Sequence, residues 1–297
     1  MTPPAPADAT TAPPANPTTI LHCSDLHFGH GFLPDRLTAL SRAVRDIRPD
    51  LVAVSGDLTM RARPGQFADA ARFLAEAAET TRVVAIPGNH DIPLYALHMR
   101  LTRPFAGYRR AVAPWSLEQQ GVTVGSGGVE LFGMNSIDPF RHQRGIMRPA
   151  ALTAAVDWAR TRPAGAWRVV MFHQHVADLP GHARPGRFPN AEPILRKLSE
   201  AGADAVLFGH AHYPHVRPAV ADFPGLASAP PIALVQSGSA TCARTRGPRP
   251  ANAFNLLRFH ADRLSVEVHA FKQNDGADCG GSFVPHETID FPRRPAV

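Results

Sequence analysis

Five short apolar runs in this chain each stop at a histidine, an aspartate or an asparagine, and that repetition constrains the fold more than any other feature. Thr19-Ile20-Leu21-His22-Cys23 leads into Ser24-Asp25-Leu26-His27, and Leu51-Val52-Ala53-Val54-Ser55 leads into Gly56-Asp57. Val83-Val84-Ala85-Ile86-Pro87 leads into Gly88-Asn89-His90-Asp91. Further on, Val169-Val170-Met171-Phe172 runs into His173-Gln174-His175, and Ala205-Val206-Leu207-Phe208 into Gly209-His210-Ala211-His212. Such runs, closed by glycine or by a polar cluster, read as buried strands entering tight turns. Ligands of open α/β sheets bind at the carboxyl ends of strands, so a fold that gathers these ends brings imidazoles, carboxylates and an amide together. Polar side chains are costly to bury without partners. The cluster reads as a metal site.

The segments between the runs set the fold class. Arg36 to Ile47 carries Leu37, Leu40, Val44 and Ile47 at helical spacing, and Gly65 to Glu79 carries Phe67, Ala70, Ala71 and Leu74. The first three strands therefore alternate with two helices, which predicts a mainly parallel sheet with right-handed crossovers. Residues 93–120 break the alternation, and an insertion directly after Asp91 is expected to cap the site. Strands at 121–125 and 129–135, separated by Gly127-Gly128, read as a hairpin. Helices are expected over Ala150 to Arg160 and Pro193 to Ala201, with a mobile loop at 176–190 between them. Runs at 232–237, 252–259 and 263–270 lack intervening helices and predict an antiparallel second sheet. Residues 1–17 are rich in Pro, Ala and Thr and read as a disordered tail, and 272–297 as a C-terminal tail. The domain is then 18–271, an α/β fold of two sheets packed face to face with helices outside.

Net charge is +6, carried by arginine far more than lysine. This suits an anionic substrate, a nucleic acid or an acidic membrane surface without choosing among them. Cys23, Cys242 and Cys279 are too few and too widely spaced for a disulfide framework or a cysteine zinc motif, which points to a reduced, cytoplasmic setting. No apolar run approaches the roughly 20 residues of a membrane span, and the N-terminus lacks the pattern of a secretory signal.

Imidazole, carboxylate and amide donors without thiolate suit Mn, Fe, Zn or Co. Asp25 and His27, two apart on an extended segment, would point the same way, and His210 and His212 repeat that spacing. Seven donors exceed what one ion with room for substrate accepts. Two metals with a bridging carboxylate are the economical arrangement.

Asp25-x-His27, Gly56-Asp57, Gly88-Asn89-His90-Asp91, His173 and Gly209-His210-x-His212 resemble, in order, the five motifs of the calcineurin-like metallophosphoesterases. The resemblance spans roughly 18–215. It implies a four-layer α-β-β-α sandwich of two mixed sheets flanked by helices, here with a helical cap insertion. It further implies that Asp25, His27 and His212 hold one metal, that Asn89, His173 and His210 hold the other, and that Asp57 bridges them. His90 is then the non-ligand histidine that contacts the substrate phosphate and protonates the leaving oxygen, with Asn89 and His212 also facing substrate. Two ions about 3.5–4 Å apart, Mn2+ or Fe2+/Fe3+ with Zn2+ or Co2+ as alternatives, would share a hydroxide that attacks phosphorus in line.

Gly56-Asp57-Leu58-Thr59-Met60-Arg61 lacks the second carboxylate of the protein Ser/Thr phosphatases, and the third motif ends in Asp91 rather than Glu. Ser24-Asp25-Leu26-His27-Phe28-Gly29 and Gly56-Asp57-Leu58-Thr59 resemble instead the bacterial class III cyclic-nucleotide phosphodiesterases. A small phosphodiester such as cyclic AMP is the implied substrate. The alternative is a UDP-2,3-diacylglucosamine pyrophosphatase-like hydrolase, with Arg100, Arg103, Arg109, Arg110, Phe105, Tyr108 and Trp115 meeting lipid. A DNA-repair nuclease or a non-catalytic scaffold fits less well, because coiled-coil regions are absent and all the motif residues are present. No stable nucleic-acid partner is expected, while peripheral membrane contact and a homodimer stay open. His175, where the family commonly has proline, reads as solvent-facing. Thr241, Arg244, Thr245, Arg246, Asn252 and Asn255, like the Arg141 to Arg148 stretch, read as polar loop positions.

Overall fold

The computed structural model describes residues 16–126, 128–141, 143–177, 188–244, 252–274 and 280–294. The first half of the chain supplies β1 (Thr18–Cys23), α1 (Pro34–Ile47), β2 (Leu51–Val54), α2 (Pro64–Ala78) and β3 (Arg82–Ala85). Two short helices follow, α3 (Leu97–Thr102) and α4 (Ala106–Val112), and then the hairpin of β4 (Gln120–Val124) and β5 (Val129–Gly133). Next come α5 (Pro149–Arg160), β6 (Trp167–Met171), α6 (Ala191–Glu200) and β7 (Ala205–Phe208). The chain ends with β8 (His215–Pro218), β9 (Ala233–Gln236), β10 (Ala253–Phe259), β11 (Arg263–Gln273) and β12 (Gly281–Pro292). Helices α1, α2 and α5 each start on a proline, whose fixed φ and missing N–H suit a first helical position.

Two six-stranded mixed sheets result, ordered β12-β11-β10-β1-β2-β3 and β4-β5-β6-β7-β9-β8. Three apolar clusters account for their stacking. Ile20, Ala53, Leu131, Val169, Leu207 and Val266 fill the space between the sheets. Leu40, Phe67, Leu74 and Tyr108 pack the first helices on the outer face of one sheet, and Ala155, Leu195, Leu198 and Phe208 join α5 and α6 to the other. The molecule is the four-layer α-β-β-α sandwich. Strands β1, β2 and β3 are parallel neighbours in one sheet, as are β6 and β7 in the other. Residues 1–15, most of the 176–190 loop and Cys279 lie outside the described residues.

The C-terminal strands correct the sequence reading. They do not form the second sheet: β9 joins β7 there in parallel, while β10 pairs antiparallel with β1 and extends the first sheet. Strand β1 thus gains a partner on the edge that β2 leaves open. Residues 281–292 are no tail but a twelve-residue edge strand on β11. A register shift opposite Val268 and His269 inserts one extra β12 residue, His286, which flips the inward parity. Phe283 therefore packs on the helix side, whereas Ile289 and Phe291 pack between the sheets, and no single alternation is visible in the sequence.

The insertion at 93–120 divides in two. Its second half joins the outer layer, with Tyr108 and Val112 buried beside Phe67 and the Tyr108 hydroxyl donating to Ala85 O at 2.9 Å. Only the first half, through α3, stands clear of that layer. Among the described residues no helix is long and apolar enough to cross a membrane.

Candidate metal centre

The loops leaving β1, β2, β3, β6 and β7 meet where the two sheets open. Main-chain bonds clip them together: Asp25 N donates to Gly56 O at 3.0 Å, His27 N to Asp57 O at 2.9 Å, and Gly209 N to His173 O at 3.0 Å. The His210 amide crosses from the other sheet to Asp25 Oδ2 at 2.8 Å. Two of the glycines are required by space. A Cβ on Gly88 would strike the Asp57 amide and carboxylate, and one on Gly209 would strike the Ser24 hydroxyl and the Asp25 carboxylate.

Two clusters of side chains form, bridged by a third grouping of His27, Asp57 and His90. Asp25, His27 and His212 make one, and Asp57, His173 and His210 the other, with donor atoms in each within 4.8 Å of one another. Asn89 belongs to the second, its Oδ1 lying 3.1 Å from His173 Nε2 and 2.8 Å from His210 Nδ1. Asp57 faces both, with Oδ2 at 3.6 Å from His27 Nε2 and 3.3 Å from His173 Nε2. The structure thus brings all seven residues together. His90 stands beside them: its amide donates to Asp57 Oδ1 at 2.7 Å, and its ring is edge-on to His27 at 4.8 Å between centroids.

The orientation of the rings bears on what the clusters can hold. His173 Nδ1 donates to Ser55 O at 2.8 Å and His212 Nδ1 to Arg244 O at 3.0 Å, which turns both Nε2 atoms inward. This is the arrangement by which metal-binding imidazoles are oriented. His212 Nε2 lies 2.9 Å from His27 Nε2 and 3.2 Å from Asp25 Oδ1. Asp25 Oδ1 and Asn89 Nδ2 are buried without a hydrogen bond among the described residues. Lone pairs converging on one another in a dry pocket repel unless a cation lies between them. The donor set fits two cations.

Charge follows the same plan. Burial favours the neutral form of Asp25, but the adjacent His212 and His27 outweigh it and bring the carboxyl well below its usual range. Asp57 is lowered likewise: burial is overcome by the His173 charge and by His90. Burial lowers His27 to about 4, and burial together with the neighbouring His173 charge takes His210 well below its ordinary value. His173 is the exception, because Asp57 overrides burial and raises it to about 9. Two ionised carboxylates at this depth thus favour positive charge between them, and His173 shows it.

Several features were not legible in the sequence. Asp25, His27, Asp57, His210 and His212 all have positive φ, between 50° and 69°, so the paired donors come from left-handed turns and not from extended segments. Non-glycine residues held there are strained and concentrate at functional sites. His175 does not face solvent: it is buried and stacks on His210 at 5.2 Å between centroids. Asp91 stays out of the clusters and accepts hydrogen bonds from the amides of Gly88, Leu58 and Thr59. Thr241 donates to Leu26 O at 2.6 Å and Ser239 to Asp25 O at 2.7 Å, which makes the stretch after β9 a brace for the first loop. Asn252 donates to Ser239 O and Cys242 O within that brace, and Asn255 to Gln236 O below it, while Thr245 and Arg246 lie outside the described residues. In the Arg141 to Arg148 stretch, Arg148 donates to Ile137 O at 3.2 Å.

Solved structures resemble this architecture. PhoD superposes with a TM-score of 0.68 at 12% identity, covering 95% of this chain and 71% of that one. The purple acid phosphatase PPD1 of yellow lupin (Lupinus luteus) gives 0.64 at 13% identity over 93% of this chain and 54% of its own, so the present chain spans about half its length. A dimetal phosphatase from Danio rerio gives 0.58 at 13% identity, with 93% and 99% covered. Identities this low speak for a common fold alone. A search of curated proteins finds no match. The sequence profile of the calcineurin-like phosphoesterases matches residues 18–214, well over half of the chain and all five motif loops, and the protein belongs to that family.

Proposed function

We propose that the protein hydrolyses a small phosphodiester, such as a 3′,5′-cyclic nucleotide, with two transition-metal ions held at this centre. The observation that carries the reading is the pair of donor clusters sharing Asp57, with His90 at the shared carboxylate. Asp25, His27 and His212 would hold one ion and Asn89, His173 and His210 the other, as Mn2+ or Fe2+/Fe3+, or as Zn2+ or Co2+. Bound there, the ions supply Lewis acidity towards the phosphoryl oxygens and acidify water. His90 Nδ1 donates to Met60 O at 2.9 Å, which fixes the ring and directs Nε2 to the substrate. In its protonated form that nitrogen can stabilise the phosphoryl oxygens and pass its proton to the leaving oxygen.

A charge argument favours the diester. Among the described residues Asp25 and Asp57 form ion pairs with imidazoles and with no guanidinium. A singly charged diester matches that balance better than a doubly charged monoester. The test is hydrolysis of bis-p-nitrophenyl phosphate beside p-nitrophenyl phosphate, with Mn2+ supplied and then chelated, followed by 3′,5′-cyclic AMP. Metal-dependent cleavage favouring the diester is expected. Cleavage of the monoester alone would replace this reading with a phosphatase, and no cleavage of any of the three by the metal-loaded protein would overturn it.

A further inference from the structure

Large apolar side chains are concentrated on one outer face. Tyr95, Leu97, Met99, Leu101 and Phe140 are 77%, 61%, 41%, 47% and 79% exposed, and Ile146 is 40% exposed. The two segments that carry them are fastened together: the buried Arg100 side chain donates to Pro139 O at 2.6 Å and to Pro93 O at 3.1 Å. Beneath them Ile92, Phe105 and Ile137 form a small separate core, so the apolar residues above it are held out by a built support. The ridge starts four residues after Asp91. Arg61 lies over the Tyr95 ring at 5.5 Å, and the preceding residue, Met60, accepts the His90 hydrogen bond. The ridge therefore borders the mouth of the metal centre.

Its charge is equally uneven. Between residues 92 and 117 there are four arginines, at 100, 103, 109 and 110, and no acidic residue. Between 139 and 156 there are three, at 141, 144 and 148, and again no acidic residue. Arg103, Arg141 and Arg144 are exposed beside the apolar side chains.

We infer that this ridge docks the protein on an anionic lipid bilayer with the mouth of the metal centre turned towards the membrane. Aliphatic and aromatic side chains that reach past a ring of arginines suit the boundary between headgroups and acyl chains. The arginines then meet lipid phosphate within a Debye length, where each contributes about fivefold to binding. A second copy of the chain fits the same face poorly. Asp138 and Glu118 flank the two segments and pair with Arg141 at 3.8 Å and Arg109 at 3.2 Å, yet arginines still outnumber acids there. A twofold contact would therefore set one net-basic rim against another, whereas an anionic surface complements it. A patch of this kind on a soluble surface marks a partner.

The test is sedimentation of the full-length protein with vesicles of phosphatidylcholine alone and of phosphatidylcholine mixed with phosphatidylglycerol. Binding to the mixed vesicles only is expected, weakened by salt. Leu97→Ser combined with Leu101→Ser, and separately Phe140→Ser, should release the protein from vesicles. Arg103→Glu and Arg141→Glu should each weaken binding at least about fivefold. Metal content and hydrolysis of a soluble diester should stay as in the parent protein, which separates loss of docking from loss of fold or of the centre. No binding to the mixed vesicles at low salt would overturn the proposal, as would binding that survives all three serine substitutions. A dimer in light scattering that Leu101→Ser turns into monomers would show the ridge to be a self-interface and would also overturn it.

Discussion

His27 and His212 approach through their Nε2 atoms, 2.9 Å apart, while His212 Nδ1 on the far side of the ring donates to Arg244 O. Asp25 Oδ1 adds a third donor atom at 3.2 Å from His212 Nε2. The same crowding recurs around Asn89 Oδ1, and Asp57 touches both clusters. Filling them with Mn2+ should raise the melting temperature, since a ligand at about a hundred times its dissociation constant stabilises by about 3 kcal/mol. Asp57→Asn should lose both the metal and that stabilisation. Metal analysis with a melting curve, before and after chelation, checks it.

His90→Ala should behave differently. Its side chain borders the clusters without belonging to the seven residues assigned as ligands, so metal content should hold while kcat on the diester falls roughly a hundredfold or more. A loss of metal in this variant would make His90 a ligand instead.

Gly88→Ala tests the spacing of the β2 and β3 loops. The added methyl would strike the Asp57 main chain and carboxylate, and in a packed site such overfilling costs about 1–3 kcal/mol. Metal affinity should fall with stability, because the atom displaced is the shared donor. Gly65→Ala, at a position with open space around it, is the control that should leave metal affinity unchanged.

How far the sequence could be read follows from where each signal lies. The donors sit two to four residues past strands whose apolar runs are continuous, so Asp25, Asp57, Asn89, His173 and His210 could be placed from local pattern alone. What failed depended on pairing across the sheet. The antiparallel return of β10 onto β1 joins His22 to Asn255, 233 residues apart, and nothing local records it. The β12 bulge hid its strand by reversing parity midway. The left-handed turns at Asp25 and His27 were invisible because tertiary contacts, and no glycine at those positions, enforce them.

His22 predicts a pH dependence. It lies buried on β1, its Nε2 2.9 Å from the Ser55 hydroxyl, and burial lowers it to about 3 against a weaker opposing pull from Asp25. The folded state therefore binds this proton less readily than the unfolded state, whose histidine titrates near 6.5. The contribution is complete above that value and lost as pH falls from there towards 3, at about 1.4 kcal/mol per pH unit. His22→Gln keeps a hydrogen-bonding group without the charge. Urea midpoints between pH 7 and pH 5 should fall less steeply for the variant, by about 2 kcal/mol across the range. Equal slopes would show that His22 does not titrate as its burial implies.

Asp91 gives the last prediction, since it joins the second loop to the third without entering either cluster. Oδ1 accepts from Thr59 N at 2.8 Å and from the Thr59 hydroxyl at 3.0 Å. Oδ2 accepts from Gly88 N at 2.9 Å and Leu58 N at 3.1 Å. Both oxygens are thus used as acceptors by main-chain donors that have no water to turn to. Asp91→Asn preserves size and shape, but whichever way the amide turns, its NH2 group faces N–H donors and leaves them unpaired. A buried donor stripped of its acceptor costs about 1–3 kcal/mol, so the variant should lose about 3 kcal/mol or more of stability. Because the same bonds set the distance between Asp57 and Asn89, metal affinity should fall as well, even where the protein stays folded. Denaturation midpoints paired with metal titration distinguish the two losses. A variant as stable as the parent would mean that the brace contributes nothing, and that the left-handed turn at Asp57 is held from the His27 side alone.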